Sequence, residues 1–156
     1  MALIFYRYTF FTLAAQDLTP PYWINMGAMA ISTLAGSLLI MAAPQAPFLQ
    51  TLRPFIEGFT LFYWASGTWW IPMLLVLGVW RHVFERVPLH YDPMYWGAVF
   101  PLGMYAVCSF DLVTALRLDF LHWLPPVFGA AAVLAWLLAF GGLLHRIGQW
   151  LIQSRR

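Results

Sequence analysis

The chain has 156 residues, of which 62% are apolar, 19% aromatic and only 9% charged. Soluble domains carry about 25% charged residues, and disordered segments combine low hydrophobicity with high charge, so the composition excludes both classes. The net charge of +2 is too small to indicate nucleic-acid binding. A mean hydropathy of +0.73 instead predicts a protein that lies in a lipid bilayer.

Residues 1–14 are apolar, but the run is too short to cross a membrane and Arg7 interrupts it. We interpret it as the end of a truncated transmembrane helix. Residues 15–156 contain four apolar stretches of the length that a hydrocarbon core of about 30 Å requires. The predicted spans are about 22–43, 56–80, 93–116 and 125–144, followed by a short tail. The predicted fold class is therefore an all-α polytopic membrane protein with four transmembrane helices plus the end of a fifth.

Prolines and charged residues mark where these helices start and bend. The second span is predicted to begin just after Pro54. Asp92 followed by Pro93 is the pattern of an N-cap and a first helical residue, so it predicts the start of the third span. Pro72 and Pro101 lie inside spans and are expected to kink them, because each removes a backbone hydrogen bond.

The distribution of arginines predicts the orientation, because cytoplasmic loops retain positive charge. Six arginines lie in the segment before the first span, the loop between the second and third spans, and the C-terminal tail. Two arginines lie in the other two loops. The first set is Arg7, Arg81, Arg86, Arg146, Arg155 and Arg156, and the second is Arg53 and Arg117. The C-terminus is therefore predicted to be cytoplasmic, in a plasma or inner membrane.

No set of residues indicates an enzyme. The four histidines lie in loops or at helix ends, so neither a bis-histidine haem site nor a HExxH zinc site is present. The single cysteine, Cys108, allows no internal disulfide. Motifs of serine hydrolases and phosphate-binding loops do not occur either. We expect no catalytic residues, no cofactor and no metal.

Small and hydroxyl residues recur at three- and four-residue steps along the first and third spans, so each set forms one stripe. The first stripe is Asn25, Ala28, Ser32, Ala35 and Gly36, and the second is Gly97, Pro101, Met104, Cys108 and Asp111. Small residues allow close helix packing in membranes. The other interpretation is that the stripes line a narrow path, which would keep the polar groups away from lipid. Asp111 could equally be solvated or paired with Arg117.

Three stretches in order resemble the tellurite-resistance/dicarboxylate transporter family, which includes malate permeases, sulfite exporters and slow-type anion channels. They are PYWINMGA continuing to STLAG (residues 21–36), WWIPMLLVLGVWRH (residues 69–82) and YDPMYWGAVFPLGMY (residues 91–105). Relatives have ten helices in five hairpins, and their odd-numbered helices surround a central path. The resemblance implies that the four spans are the seventh to tenth helices of this fold, and that the full-length form is a homotrimer.

By this resemblance the first and third spans line the pore. The implied lining residues are Asn25, Ser32, Gly36, Gly97, Pro101 and Met104. A phenylalanine on the ninth helix blocks the pore in relatives, and Phe100 occupies the matching position. Phe100 could instead be one more lipid-facing or packing aromatic. The implied function is transport of a small anion, a C4-dicarboxylate or an oxyanion such as tellurite or sulfite.

Arg81 and Arg86 lie at the predicted inner mouth, where their charge could raise the local anion concentration. They could equally do no more than fix the topology. Because family chains are about twice as long, the chain is expected to be part of a longer pore protein, a gene fragment, or a half that assembles with a separate chain, and we favour the first two. The alternative function is a non-transporting membrane partner that packs against other helices.

Overall fold

A computed structural model describes residues 23–84, 86 and 91–153. Four long helices, α1 to α4, follow one another along the chain, and no strand occurs within the described ranges. They are α1, Trp23–Ala42; α2, Pro47–Val79; α3, Trp96–Leu116; and α4, Leu124–Gln153. Each is long and apolar enough to cross a membrane. The predicted polytopic all-α fold class is confirmed, whereas the helix end predicted at residues 1–14 lies outside the described residues.

Helix α2 starts at Pro47, well before the predicted span. Ala46 is extended and Pro47 occupies the first helical position, where its fixed φ suits a helix and its missing N–H costs nothing. The Ala46 carbonyl accepts hydrogen bonds from the backbone N–H groups of Leu49 and Gln50 at 2.9 and 3.2 Å. Pro54 therefore lies inside an established helix and does not begin a new one.

The start of α3 is as the sequence predicts. A carboxylate oxygen of Asp92 accepts a 2.8 Å hydrogen bond from the backbone N–H of Met94. Pro93 begins a short 3-10 turn that leads into α3. Arg117 ends α3 in the left-handed conformation, at φ 54° and ψ 46°. The following backbone N–H, that of Leu118, then donates to the Val113 carbonyl at 3.0 Å, which satisfies one of the helix's last acceptors.

Helix α4 continues past the predicted end of its span, to Gln153. Thirty residues make a helix of about 45 Å, which is longer than the hydrocarbon core. The apolar stretch ends near Leu144, and the helix continues because Arg and Gln are good helix formers. Helix α4 is therefore long enough for its last turns to extend beyond a hydrocarbon core.

Helices α1 and α3 are central and α2 and α4 are peripheral. Helix α1 packs against both α2 and α3, and α3 packs against α4. In the most apolar 18-residue stretch of each span, 44% of the α1 residues and 39% of the α3 residues are buried, against 17% for α2 and 11% for α4. All four helices contribute to one buried cluster, formed by Met26, Ala30, Ile71, Tyr105, Cys108 and Leu124. The two central helices are the ones that carry the small-residue stripes.

Candidate functional site

The contact between α1 and α3 depends on one glycine and one proline. A methyl group at Gly27 would lie 3.1 Å from Pro101 Cγ, so only hydrogen fits comfortably there. Pro101 is fully buried. This close approach is what small residues provide in membrane proteins, where apolar burial does not drive association between helices.

A second close approach holds α1 against α2. A methyl group at Gly36 would overlap the Thr60 hydroxyl, and Thr60 is itself only 2% exposed. Two of the residues predicted to line a path are thus covered by neighbouring helices. Gly36 lies against α2, and Pro101 lies against α1.

A polar cluster inside the membrane joins α2 to α3. Trp64 Nε1 donates to Ser109 Oγ at 2.9 Å, and the hydroxyls of Thr68 and Tyr105 lie 2.6 Å apart. Thr68 also donates to the Trp64 carbonyl, at 2.8 Å. The sequence analysis missed this cluster. The available signal was a hydroxyl residue in each of two apolar spans, which in lipid needs a partner on a neighbouring helix.

One face of α3 is left open by these contacts. Phe100, Val107 and Thr114 repeat at seven-residue intervals, and all three are exposed, Phe100 by 56%. Gly103 lies on the same face, and a methyl group added to it would meet nothing within 4 Å. This open face of α3 consists of Phe100, Gly103, Val107 and Thr114. Phe100 and the buried Pro101 therefore point in different directions from consecutive positions.

Helix α1 also has an open face, formed by Ala28, Ile31, Ala35 and Leu38. All four residues are exposed, and their spacing of three, four and three places them along one side of the helix. The opposite side of α1 carries the buried Met26, Ala30 and Thr33. The open face of α1 alternates two alanines with two larger aliphatic side chains.

The packing of the four helices leaves each of these two open faces uncovered. Both helices bury their other sides toward the cluster that includes Tyr105, Trp64 and Phe128, where α2 and α4 pack. A helix that packs on one side against its neighbours leaves the opposite side uncovered. The two uncovered faces together are called the open surface of α1 and α3.

The remaining predicted site residues lie beside this surface or at the end of α2. Asn25, Ser32, Gly97 and Met104 are half-buried, and Met104 packs against the buried cluster. The Ser32 hydroxyl donates to the Ala28 carbonyl of its own helix at 3.1 Å.

The two predicted mouth arginines lie after the main part of α2. Arg81 is half-buried in the π-helical turn Trp80–Phe84, and Arg86 is exposed. Asp111 is half-buried on α3 and forms no ion pair with Arg117 in the described part of the chain. Within the same residues, no group of three potential metal ligands comes together.

Comparison with known proteins adds the family. A family model described as a voltage-dependent anion channel matches residues 1–144. An uncharacterized membrane protein of Mycobacterium tuberculosis is 37% identical over 155 residues, covering 99% of this chain and 78% of the relative. An uncharacterized transporter of Methanocaldococcus jannaschii is 26% identical over 140 residues, covering 90% of this chain but 37% of the transporter. No solved structure matches. The chain belongs to the voltage-dependent anion channel family of membrane proteins.

Proposed function

We propose that α1 and α3 form part of the wall of a path for small anions, with Phe100 as its gate. The observation that carries this proposal is that each of the two central helices keeps an uncovered face, and that the Phe100 ring on the α3 face is 56% exposed. Family membership and the transporter name of one relative support anion transport. The path's other walls then come from helices beyond the four described ones or from other chains.

The open surface suits weak binding of the permeating ion. Its residues on α3 and α1 include no charged side chain, so an anion meets no fixed cation inside the path. Conduction requires sites that an ion can leave as readily as it enters. Arg81 and Arg86 at the predicted inner mouth concentrate anions there without holding them at mid-membrane.

The proposed substrates are C4-dicarboxylates or oxyanions such as sulfite and tellurite. We place the protein in the plasma membrane with a cytoplasmic C-terminus, on the basis of its arginine distribution. For the full-length form we propose a homotrimer in which each subunit has its own path. In this arrangement α2 and α4 face lipid, which agrees with their low burial.

Flux into liposomes tests this function. We expect the purified protein to pass malate, sulfite and chloride but to exclude a cation such as Na⁺. The rate should rise with an inside-positive potential, because the charge carried is negative. Equal passage of Na⁺ would contradict the proposal. Absence of any flux, together with co-purification of a second membrane protein, would instead indicate the non-transporting partner.

A further inference from the structure

An open cleft lies where the beginning of α3 meets the end of α4, away from the open α1–α3 surface. It has a volume of about 340 Å³ and is lined by Tyr91, Pro93, Leu143, Arg146, Ile147 and Trp150. We call it the Tyr91 cleft. The lining combines one cation, two amphipathic aromatic rings and aliphatic carbon.

The aromatic wall of this cleft is fixed by close packing. The Tyr91 ring lies directly on Gly142 of α4, where any added methyl group would overlap the ring. Trp96 Nε1 donates to the Tyr91 hydroxyl oxygen at 3.3 Å. The hydroxyl hydrogen of Tyr91 is thereby left to donate to something else. Among the described residues, the hydrogen bond from Trp96 is the one seen at this hydroxyl.

The cation of the cleft is also available. Arg146 is exposed and forms no ion pair with a carboxylate among residues 23–84, 86 and 91–153. The Asp92 carboxylate, next to Tyr91 in the chain, accepts the Met94 backbone N–H and forms no ion pair with Arg146 within these ranges. A guanidinium binds a phosphate through two parallel hydrogen bonds, so this cleft complements an anionic oxygen group.

The position of the cleft along α4 indicates which kind of anion it binds. Leu143 belongs to the apolar stretch of α4, while Arg146, Ile147 and Trp150 lie just past its end. Tryptophan and tyrosine rings prefer this boundary between acyl chains and headgroups. A ligand here has its charge at headgroup level and its carbon chain alongside α4.

We propose that the Tyr91 cleft binds the headgroup of an anionic phospholipid. The phosphate accepts hydrogen bonds from Arg146 and the Tyr91 hydroxyl, the upper acyl carbons pack against Leu143, and the Trp150 ring lies at headgroup level. Basic clefts between transmembrane helices recognise anionic lipids by this combination of charge and apolar contact. The site is separate from the proposed anion path and holds whether or not the chain conducts anions.

Native mass spectrometry of the full chain in detergent tests the site, with phosphatidylglycerol and phosphatidylcholine as probes. We expect the first phosphatidylglycerol to bind more tightly than phosphatidylcholine. Arg146→Gln should weaken phosphatidylglycerol binding about fivefold and phosphatidylcholine binding less, because the choline cation already offsets the charge of that lipid's phosphate. Tyr91→Phe should cause a smaller loss, of about threefold. Arg146→Lys, which keeps the charge, should retain most of the affinity.

Arg117→Gln is the matched control, because it removes an exposed arginine from the other end of α3. It should leave lipid binding unchanged. Equal lipid affinities for the wild-type protein and Arg146→Gln would overturn the proposal, as would an equal loss in Arg117→Gln. Displacement of the lipid by millimolar inorganic phosphate would show a site for free anions, and this too would overturn it.

Discussion

Replacing Phe100 with alanine is expected to raise anion flux in liposomes about tenfold, which corresponds to a barrier lowered by about 1.4 kcal/mol. The ring is 56% exposed on the open face of α3 and makes no ring–ring contact within the described residues. An aromatic side chain across a path a few ångströms wide excludes water and ions. Removing it leaves an alanine next to Gly103, so the path widens without a change in α1–α3 packing.

Phe62→Ala is the control, because Phe62 lies on α2 and is 63% exposed. In the proposed arrangement Phe62 faces lipid, so its removal should leave flux at the wild-type level. Phe100→Leu should give an intermediate flux, since leucine keeps bulk but not the ring. Unchanged flux in Phe100→Ala, or an equal rise in Phe62→Ala, would remove the gate assignment.

Gly36→Ala is expected to lower the free energy of unfolding by about 1–3 kcal/mol, the usual cost of overpacking a tight contact. The added methyl group overlaps the Thr60 hydroxyl, and Thr60 is buried and cannot swing into open space. The two interhelical hydrogen bonds of the Trp64–Tyr105 cluster contribute less, about 0.6 kcal/mol each in membranes. We therefore expect the close contact of α1 with α2 to matter more for stability than either of these hydrogen bonds between α2 and α3.

Unfolding in mixed detergent micelles measures this effect. Gly78→Ala is the matched control on α2, where the new methyl group meets nothing within 4 Å and the lost glycine flexibility stabilises a helix by up to about 1 kcal/mol. Thr60→Ala combined with Gly36→Ala should recover part of the loss, because it removes the overlapping hydroxyl. A stability for Gly36→Ala equal to that of Gly78→Ala would show that α1 and α2 do not meet here.

The sequence predicts the four spans because hydropathy and length are local properties. It predicts the start of α3 because Asp92 and Pro93 act within one turn. It misplaces the start of α2, since Pro54 is as compatible with the second turn of a helix begun at Pro47 as with a new helix. It also predicts too early an end for α4, because hydropathy reports burial in lipid and not where a helix stops.

The small-residue stripes of α1 and α3 show which part of the site the sequence does not predict. Periodicity groups Gly36 with Ala35, and Pro101 with Gly97, but it contains no information about which neighbour covers each residue. In the structure Gly36 meets Thr60 and Pro101 meets Gly27, while Ala35 stays exposed. Packed and exposed residues thus lie at adjacent positions around the same helix, and only tertiary contacts tell them apart.

Thiol accessibility decides whether the open faces of α1 and α3 meet water. In a Cys108→Ala background, single cysteines replace Ala35 and Gly103 on the open faces, and Leu75 and Val133 on the exposed sides of α2 and α4. If α1 and α3 line a path, a charged, membrane-impermeant thiol reagent modifies the first two and blocks flux, and leaves the second two unmodified. If all four remain unmodified, the open faces lie against lipid or protein and no path runs along them.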